Sequence, residues 1–538
     1  MKINIKSAGA KVEINWDKVD ADLYIIYLKV GDVFSEIART YTDTFTTLSL
    51  LPFGDNEIFI RAFKNGSVVE ESQVKKFNQA AIDVAALKAT NNEDVQFLYS
   101  KYPNAQGYRL YRNDLKGFNG FRNYQTQSIT VKATEKSDSY KIKPYCMENG
   151  ERKILYSSAI FYNPSAGFRF ATLYKSYTDN MFLSWIYDGY ADGYCIYSDC
   201  NSQPVCEISD GKCHFATLKG YKTSIKFKVC AFVNSPEGRI IVDSTDYIKI
   251  QKRKYTHPEV SLIIPAYNAE DYIARSIDSA LASNFDDLEI IIVNDGSRDK
   301  TQEIMEWYAK TYPNVKIAQK TNGGVADTRN YGINMAEGKY IAFLDNDDLI
   351  RPEMISTLYT SIIKNECQVA IAPLYRLVDS GYTVHCKLPF DEDKAVDIDD
   401  YLEIMYTPGY YNCAIWNKLY DAQMVKAHPL GVLKYEDVSW TPCIISWAEK
   451  FCFINKPFYE WDRKTRPETF GNVLAKMPEK ELFEHRKQAM EFFINNGNPK
   501  RKKYLKIIAQ RRLKRYSGQT KNNEAYLNMI KQISAMED

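Results

Sequence analysis

Three carboxylates stand within four residues at Asp345, Asn346, Asp347 and Asp348. Like charges at that spacing repel one another unless a cation or a set of hydrogen-bond donors lies between them. The alternation of Asp345 and Asp347 suits a hard divalent ion, Mn²⁺ or Mg²⁺. Such ions take oxygen ligands and commonly share one or two carboxylates with the phosphates of a substrate. The ion would neutralise a diphosphate leaving group as a Lewis acid. An Asp-x-Asp triplet is common on its own; what makes this one informative is its place directly after the apolar stretch 340–344. A second acidic pair, Glu436 and Asp437, precedes Val438, Ser439 and Trp440. Taken alone, that pair fits a solvated helix start that gains from the helix dipole. Tyr410, Tyr411 and Trp416 lie between the two acidic groups; aromatic side chains there suit a ligand-stacking platform and a packed core equally.

The elements that must position these side chains begin near residue 260. Continuous apolar strands at 260–265, 288–293, 340–344 and 369–374 alternate with helical stretches, the pattern of a parallel sheet covered on both faces. Ligands of such sheets bind at the carboxyl ends of the strands. The first strand runs into Pro265, Ala266, Tyr267 and Asn268, the second into Asn294, Asp295, Gly296 and Ser297, and the next clear one into the Asp345 run. Asp295 could be no more than a helix cap, but capping does not account for Asp345, Asp347 and Asp348 together.

Four motifs stand in order along this stretch: Val260 to Ala269, Val293 to Asp299, Gly323 to Asn330 with Arg329, and Phe343 to Asp348. With Trp416, Asn417, Lys418, Leu419 and Tyr420, and with Tyr435, Glu436 and Asp437, they resemble family 2 glycosyltransferases of the GT-A fold. The resemblance covers about 210 of the 538 residues. It implies a nucleotide pocket lined by Pro265, Ala266, Tyr267 and Asn268, with Asp295 on the base or ribose. It implies that Arg329, Asp345 and Asn346 hold the donor and that Asp345 and Asp347 ligate the metal. The general base would be Asp437, with Glu436 as the other candidate. Inversion needs a carboxylate on the face opposite the leaving group, to take the proton of the attacking hydroxyl; a base far from the metal motif in sequence suits that separation. Two features depart from the family pattern. Asp327 stands where a small residue is more usual before the arginine, and Arg463 and Arg466 match the family's late arginine-rich segment too loosely to be given a diphosphate.

The expected activity is therefore inverting, metal-dependent transfer from a nucleotide diphosphate sugar, UDP being the family's commonest nucleotide. The acceptor would be a hydroxyl of a glycan, lipid-linked glycan or glycoprotein in bacterial surface polysaccharide synthesis. The competing expectation is a non-catalytic glycan-binding or scaffold protein of an envelope-polysaccharide assembly. A homo-oligomer is left open.

Ahead of this domain the chain repeats. Tyr24, Tyr108 and Tyr194 each open a Tyr-x-x-Tyr strand, 84 and 86 residues apart, and each stands eight or nine positions after an aromatic residue (Trp16, Tyr99, Trp185). Alternating strands of this kind suggest β-sandwiches and resemble fibronectin type III modules, expected at 1–80, 85–165 and 166–252. The α/β domain is expected next, at 256–470, and then a helical region at 471–538. The fold class is thus multidomain: three β-sandwich modules, a mostly parallel Rossmann-like GT-A domain and a helical tail.

The net charge of +2 gives no sign of a nucleic-acid partner. No signal peptide core or membrane-spanning run is visible, and 11 cysteines, many in apolar runs such as those of Cys367 and Cys452, suggest free buried thiols in a reducing compartment. The cytoplasm is expected, at the inner face of the cell membrane if the C-terminal helix docks there. That helix is basic through Lys500 to Arg515, with Leu505, Ile508, Ala509, Leu513 and Tyr516 on one face. It fits an anionic membrane surface or packing on the catalytic domain. Cys195, Cys200, Cys206, Cys213 and His214 are spaced too widely for a zinc knuckle.

Overall fold

The computed structural model describes the whole chain except residues 9–10, 31, 42, 89–94, 115–116, 125–127, 132–138, 157–160, 163–166, 178–179, 222–223, 237, 251–256, 379–380, 386–391, 402–413, 432, 434–435, 464–476, 519–522 and 537–538. The chain forms two compact units. The first takes 1–173, 181–251 and 379–381; the second takes 174–180, 252–378 and 382–538.

The first unit is built of antiparallel sheets that share cores in pairs. Strands Ile3–Ala8, Lys11–Trp16 and Phe45–Leu48 share a core with a sheet that includes Leu23–Val30, Val33–Thr40 and Gly54–Lys64. Val95–Tyr99 and Ser128–Val131 do so with Gly107–Asp114 and Ser139–Glu148. Met181–Tyr187 and Phe215–Leu218 do so with Gly193–Ser198 and Phe227–Ser235. The repeat seen in the sequence has a physical cause here. Its two aromatic positions meet inside each core, as Trp16 against Tyr24 at 5.5 Å, Tyr99 against Tyr108 at 4.5 Å and Trp185 against Tyr194 at 5.0 Å between ring centres. Each of these tyrosines also bonds its hydroxyl to backbone, at Val19, Tyr102 and Gly211, which meets the polar end of an otherwise buried ring.

One buried polar node links the three pairs. Lys11 Nζ donates to Ser49 and Asp83, Ser49 Oγ donates to Asp192, and Asp192 also accepts the amide of Asn234.

The second unit centres on an eight-stranded mixed sheet. Its order is Val315–Gln319, Leu288–Asn294, Val260–Ala266, Tyr340–Phe343, Lys418–Asp421, Val369–Ile371, Lys450–Phe453, Lys394–Asp397. The first four strands are parallel; Lys418–Asp421 runs antiparallel to both its neighbours. Strands Val260–Ala266 and Leu288–Asn294 are buried at every residue. Alternate side chains feed two cores: Ile263, Ile291 and Val293 one, Leu262, Ile264, Ile290 and Ile292 the other.

Two expectations change. Residues 174–180 belong to the second unit and not to the preceding β module; there Ser176 and Tyr308 donate to the buried Asp278 carboxylate, and the Tyr312 hydroxyl donates to Lys175 O at 2.6 Å. The described helices after 470 pack into a core of the second unit. Leu505, Ala509 and Leu513 of helix Lys502–Ser517 join Trp440, Ile444, Met490 and Phe493 in the core on one side of the sheet. The apolar stripe that suggested a membrane surface is thus covered by protein, the second of the two arrangements it fitted. Finally, Cys367 and Cys452 are not free thiols: their sulfurs are joined in a disulfide. Cys195 lies across from Cys230 on the neighbouring strand. No described helix is long and apolar enough to cross a membrane.

Candidate active site

The parallel strands end together, Pro265 and Ala266 abreast of Val293 and Asn294, with Phe343 on the other side abreast of Ile263. Three loops therefore open on one edge. The first turns at Asn268, whose φ of +46 is a left-handed conformation that asparagine tolerates. Asn268 Oδ1 accepts the amide of Arg298 at 2.9 Å and its own amide donates to Ser297 Oγ at 3.0 Å. The turn leaves Tyr267 44% exposed, while Pro265 and Ala266 stay in the buried strand.

Asp295 is buried and accepts three hydrogen bonds, from Lys320 Nζ at 2.6 Å and from the amides of Gly323 and Gly324 at 2.9 Å each. It thus fixes the glycine loop against the end of the second strand. Gly324, with φ of +88, takes a backbone conformation closed to most side chains and then starts helix Val325–Met335. Lys320 also reaches Asp327 at 2.6 Å. Burial alone would depress the Lys320 pKa; its two carboxylate partners outweigh that and raise it. The unusual Asp327 is therefore neutralised by Lys320, a residue that no motif marked.

Arg329 joins the two acidic groups. It is only 3% exposed, and it pairs through Nη2 with Asp345 at 2.6 Å and through Nη1 with Glu436 at 2.7 Å. The helix that carries it packs closely on the sheet, since a Cβ at Gly332 would lie 2.5 Å from Ile263. Burial opposes the charge, but the two carboxylates hold the guanidinium above its ordinary pKa. Glu436 and Asp437 form the first turn of helix Glu436–Ile445. Asp437 Oδ1 accepts the amide of Val438 at 2.7 Å, and Arg512 of the C-terminal helix donates to Val438 O at 2.7 Å.

The acidic run is braced from behind by Tyr459. Its hydroxyl accepts the amide of Asp345 at 3.1 Å and donates to Asp348 at 2.7 Å, while Asp348 also takes the amide of Asp462 at 2.9 Å. Asp348 is buried; that burial and the charges of Asp347 and Asp345 push its pKa well up. It is an internal brace, whereas Asp345 and Asp347 are half-buried. Asn346 Nδ2 donates to Pro265 O at 2.8 Å, tying this loop to the first. Trp416 stacks on Tyr459, ring centres 4.0 Å apart; it therefore packs behind the acidic run. Tyr410, Tyr411 and Arg466 lie outside the described residues. Arg463 is near enough to Asp347 and Asp348 to feel their charge, although burial and Arg376 lower its pKa.

The donor set suits a hard cation. Asp345 and Asp347 offer carboxylate oxygens, and Asn346 Oδ1 is a buried oxygen with no hydrogen-bond partner. Among the described residues no three His, Cys, Asp or Glu side chains gather as a metal site. The chain would supply about two carboxylates and leave the other positions to phosphate and water, as Mg²⁺ sites commonly do.

Residues 261–409 match the family model Glycosyl transferase family 2. Glycosyltransferase GlyA of Streptococcus pneumoniae serotype 4 is 25% identical over 259 residues, 47% of this chain and 37% of its own length. Glycosyltransferase YibD of Escherichia coli K12 is 32% identical over 190 residues, 34% of this chain and 55% of its own length. The chain thus spans about half the length of these relatives or less. Among solved structures, Staphylococcus aureus TarS 1-349 in complex with UDP-GlcNAc is 22% identical, with a TM-score of 0.42 over 51% of this chain and 80% of that one.

Proposed function

We propose that the chain is an inverting, metal-dependent glycosyltransferase. It would move a sugar from a nucleotide diphosphate sugar, in the first instance a UDP-sugar, to a hydroxyl of a surface-polysaccharide glycan or lipid-linked acceptor. The reading rests above all on Arg329, whose buried guanidinium ties the Asp345 run to the Glu436–Asp437 pair. Acidic groups 91 positions apart in sequence, counting from Asp345 to Glu436, thereby meet at the edge where ligands of parallel sheets bind.

In this reading Tyr267 and Asn268 receive the nucleoside beside the loop that Asp295 fixes. Asp345, Asn346 and Asp347 hold Mn²⁺ or Mg²⁺, which when bound supplies Lewis-acid neutralisation of the diphosphate. Asp437, the position that the family resemblance marks, is the base, with Glu436 held by Arg329 beside it. Its carboxylate takes the proton of the acceptor hydroxyl as that oxygen bonds to the anomeric carbon and the nucleoside diphosphate leaves from the other face. A positioned base contributes roughly 10²–10⁴-fold. The three sheet pairs are read as fibronectin type III-like modules that precede this domain.

The test is thermal stability with UDP and UDP-sugars, with and without Mn²⁺. A ligand at 100 times its Kd adds about 2.7 kcal/mol to the folded state. Asp347→Asn should lose the Mn²⁺-dependent part of the shift. Asp437→Asn should keep the shift and lose transfer. If no nucleotide raises the melting temperature under either condition, the reading fails.

A further inference from the structure

The Gly107–Asp114, Ser139–Glu148 and Glu151–Ile154 strands lie side by side in one antiparallel sheet. Tyr108, Leu110, Tyr140 and Ile142 point into its core, so alternation puts Arg109, Tyr111, Lys141, Lys143 and Tyr145 on the outer face. Register adds Arg152, the partner of Met147, to that face. Arg109, Lys143 and Arg152 thus share a face that carries no carboxylate among its described residues.

The cations are crowded. Arg109 and Lys143 are direct cross-strand partners, an arrangement of like charges that destabilises a sheet. Both lean on the ring of Tyr111, at 5.5 and 4.5 Å, and Arg152 lies over Tyr145 at 4.7 Å. The rings hold the cations in place without neutralising them. The Nε of Arg109 is buried with no hydrogen-bond partner, which is costly for a charged group. The corresponding faces of the other two sheet pairs differ. There Arg61 pairs with Glu71, Lys29 and Lys76 with Glu57, and Arg239 with Glu207. The adjacent like charges of Arg109 and Lys143 on the face of the second pair would be relieved by an anion bound across them.

We propose that this face binds an anionic glycan, a polymer with phosphate or carboxylate groups along its backbone, and that the first unit thereby holds the acceptor chain. Cations alternate with recessed tyrosine rings and with the exposed side chains of Met147 and Ile154, 47% and 40% accessible. A charged sugar polymer presents the same mixture of anionic groups and apolar ring faces. The choice of a glycan as occupant rests on the proposed transferase activity; the anion preference rests on the face alone.

The test measures binding of the full chain to poly(glycerol phosphate) and to polygalacturonate. Neutral dextran and phosphatidylglycerol vesicles serve as comparisons. Affinity for at least one anionic polymer should exceed that for dextran and fall with added salt. Arg109→Ser with Lys143→Ser should weaken it by roughly tenfold or more. Lys143→Glu should do so with the melting temperature kept, since it restores a cross-strand pair. Equal affinity in the variants, no affinity for either polymer, or binding to the vesicles alone would overturn the proposal. The Mn²⁺-dependent UDP shift is read on the same samples. Its absence beside intact polymer binding removes the transferase reading and leaves the anion site standing.

Discussion

Removing the Arg329 guanidinium would leave Asp345 and Glu436, 30% and 14% exposed, facing each other with no cation between them. Breaking a buried ion pair from one side typically costs about 3–5 kcal/mol, so Arg329→Met should lower the melting temperature markedly. A Glu436→Gln change on that background should recover part of the loss, because contacting residues couple by about 0.5–3 kcal/mol. Additive losses in denaturant melts would mean that the triad carries no shared energy. Arg329→Lys keeps the charge but cannot fork between two carboxylates. It should melt near the parent yet transfer sugar about 10²-fold more slowly through misplacement of the acidic groups. Arg329, Asp345 and Glu436, which the fold brings into contact, each stand in a motif of the sequence. Lys320 and Tyr459 do not: lysine and tyrosine are common everywhere, and only the fold shows that one neutralises Asp327 while the other braces Asp348. For Trp416 an aromatic residue near a site fitted both stack and core, and the fold sets its ring on Tyr459.

At the scale of elements, the helix that presents Glu436 and Asp437 is held by the C-terminal helices. Glu479–Asn496, Lys502–Ser517 and Asn523–Ala535 complete its core, and Arg512 bonds to Val438 O beside the acidic pair. The amphipathic stripe of the Lys502–Ser517 helix could be read from its sequence; what covers it could not, because an apolar stripe buries equally well against protein or lipid. Leu513 is fully buried. Leu513→Ala should cost about 2–5 kcal/mol through lost contacts and a cavity, checked by urea unfolding. Arg512→Met should reduce kcat more than KM, since it loosens the mounting of the proposed base, Asp437, without touching the donor loops. An effect confined to KM would place Arg512 in substrate binding.

For the molecule as a whole, the 84- and 86-residue spacing made the N-terminal organisation legible, because the repeated aromatic pair is itself the core contact. The exit of 174–180 from that pattern was invisible, since its reason is a partner at Asp278, about 100 residues away in sequence. Asp278 also sets how stability depends on pH. Burial lifts its pKa from 3.8 to about 7, only partly offset by the hydrogen bonds from Ser176 and Tyr308. Between those values the folded chain holds a proton that the unfolded chain has lost, so stability must fall as pH rises through that window and level off above about 7. At about 1.4 kcal/mol per unit the loss is at most on the order of 4 kcal/mol. Asp278→Asn keeps a polar partner for Ser176 and Tyr308 but has no proton to release. Melting curves between pH 4 and 8 should show the parent losing stability relative to this variant up to about pH 7 and running parallel to it above. Two curves parallel throughout would mean that Asp278 is ionised across the range and that solvent reaches it.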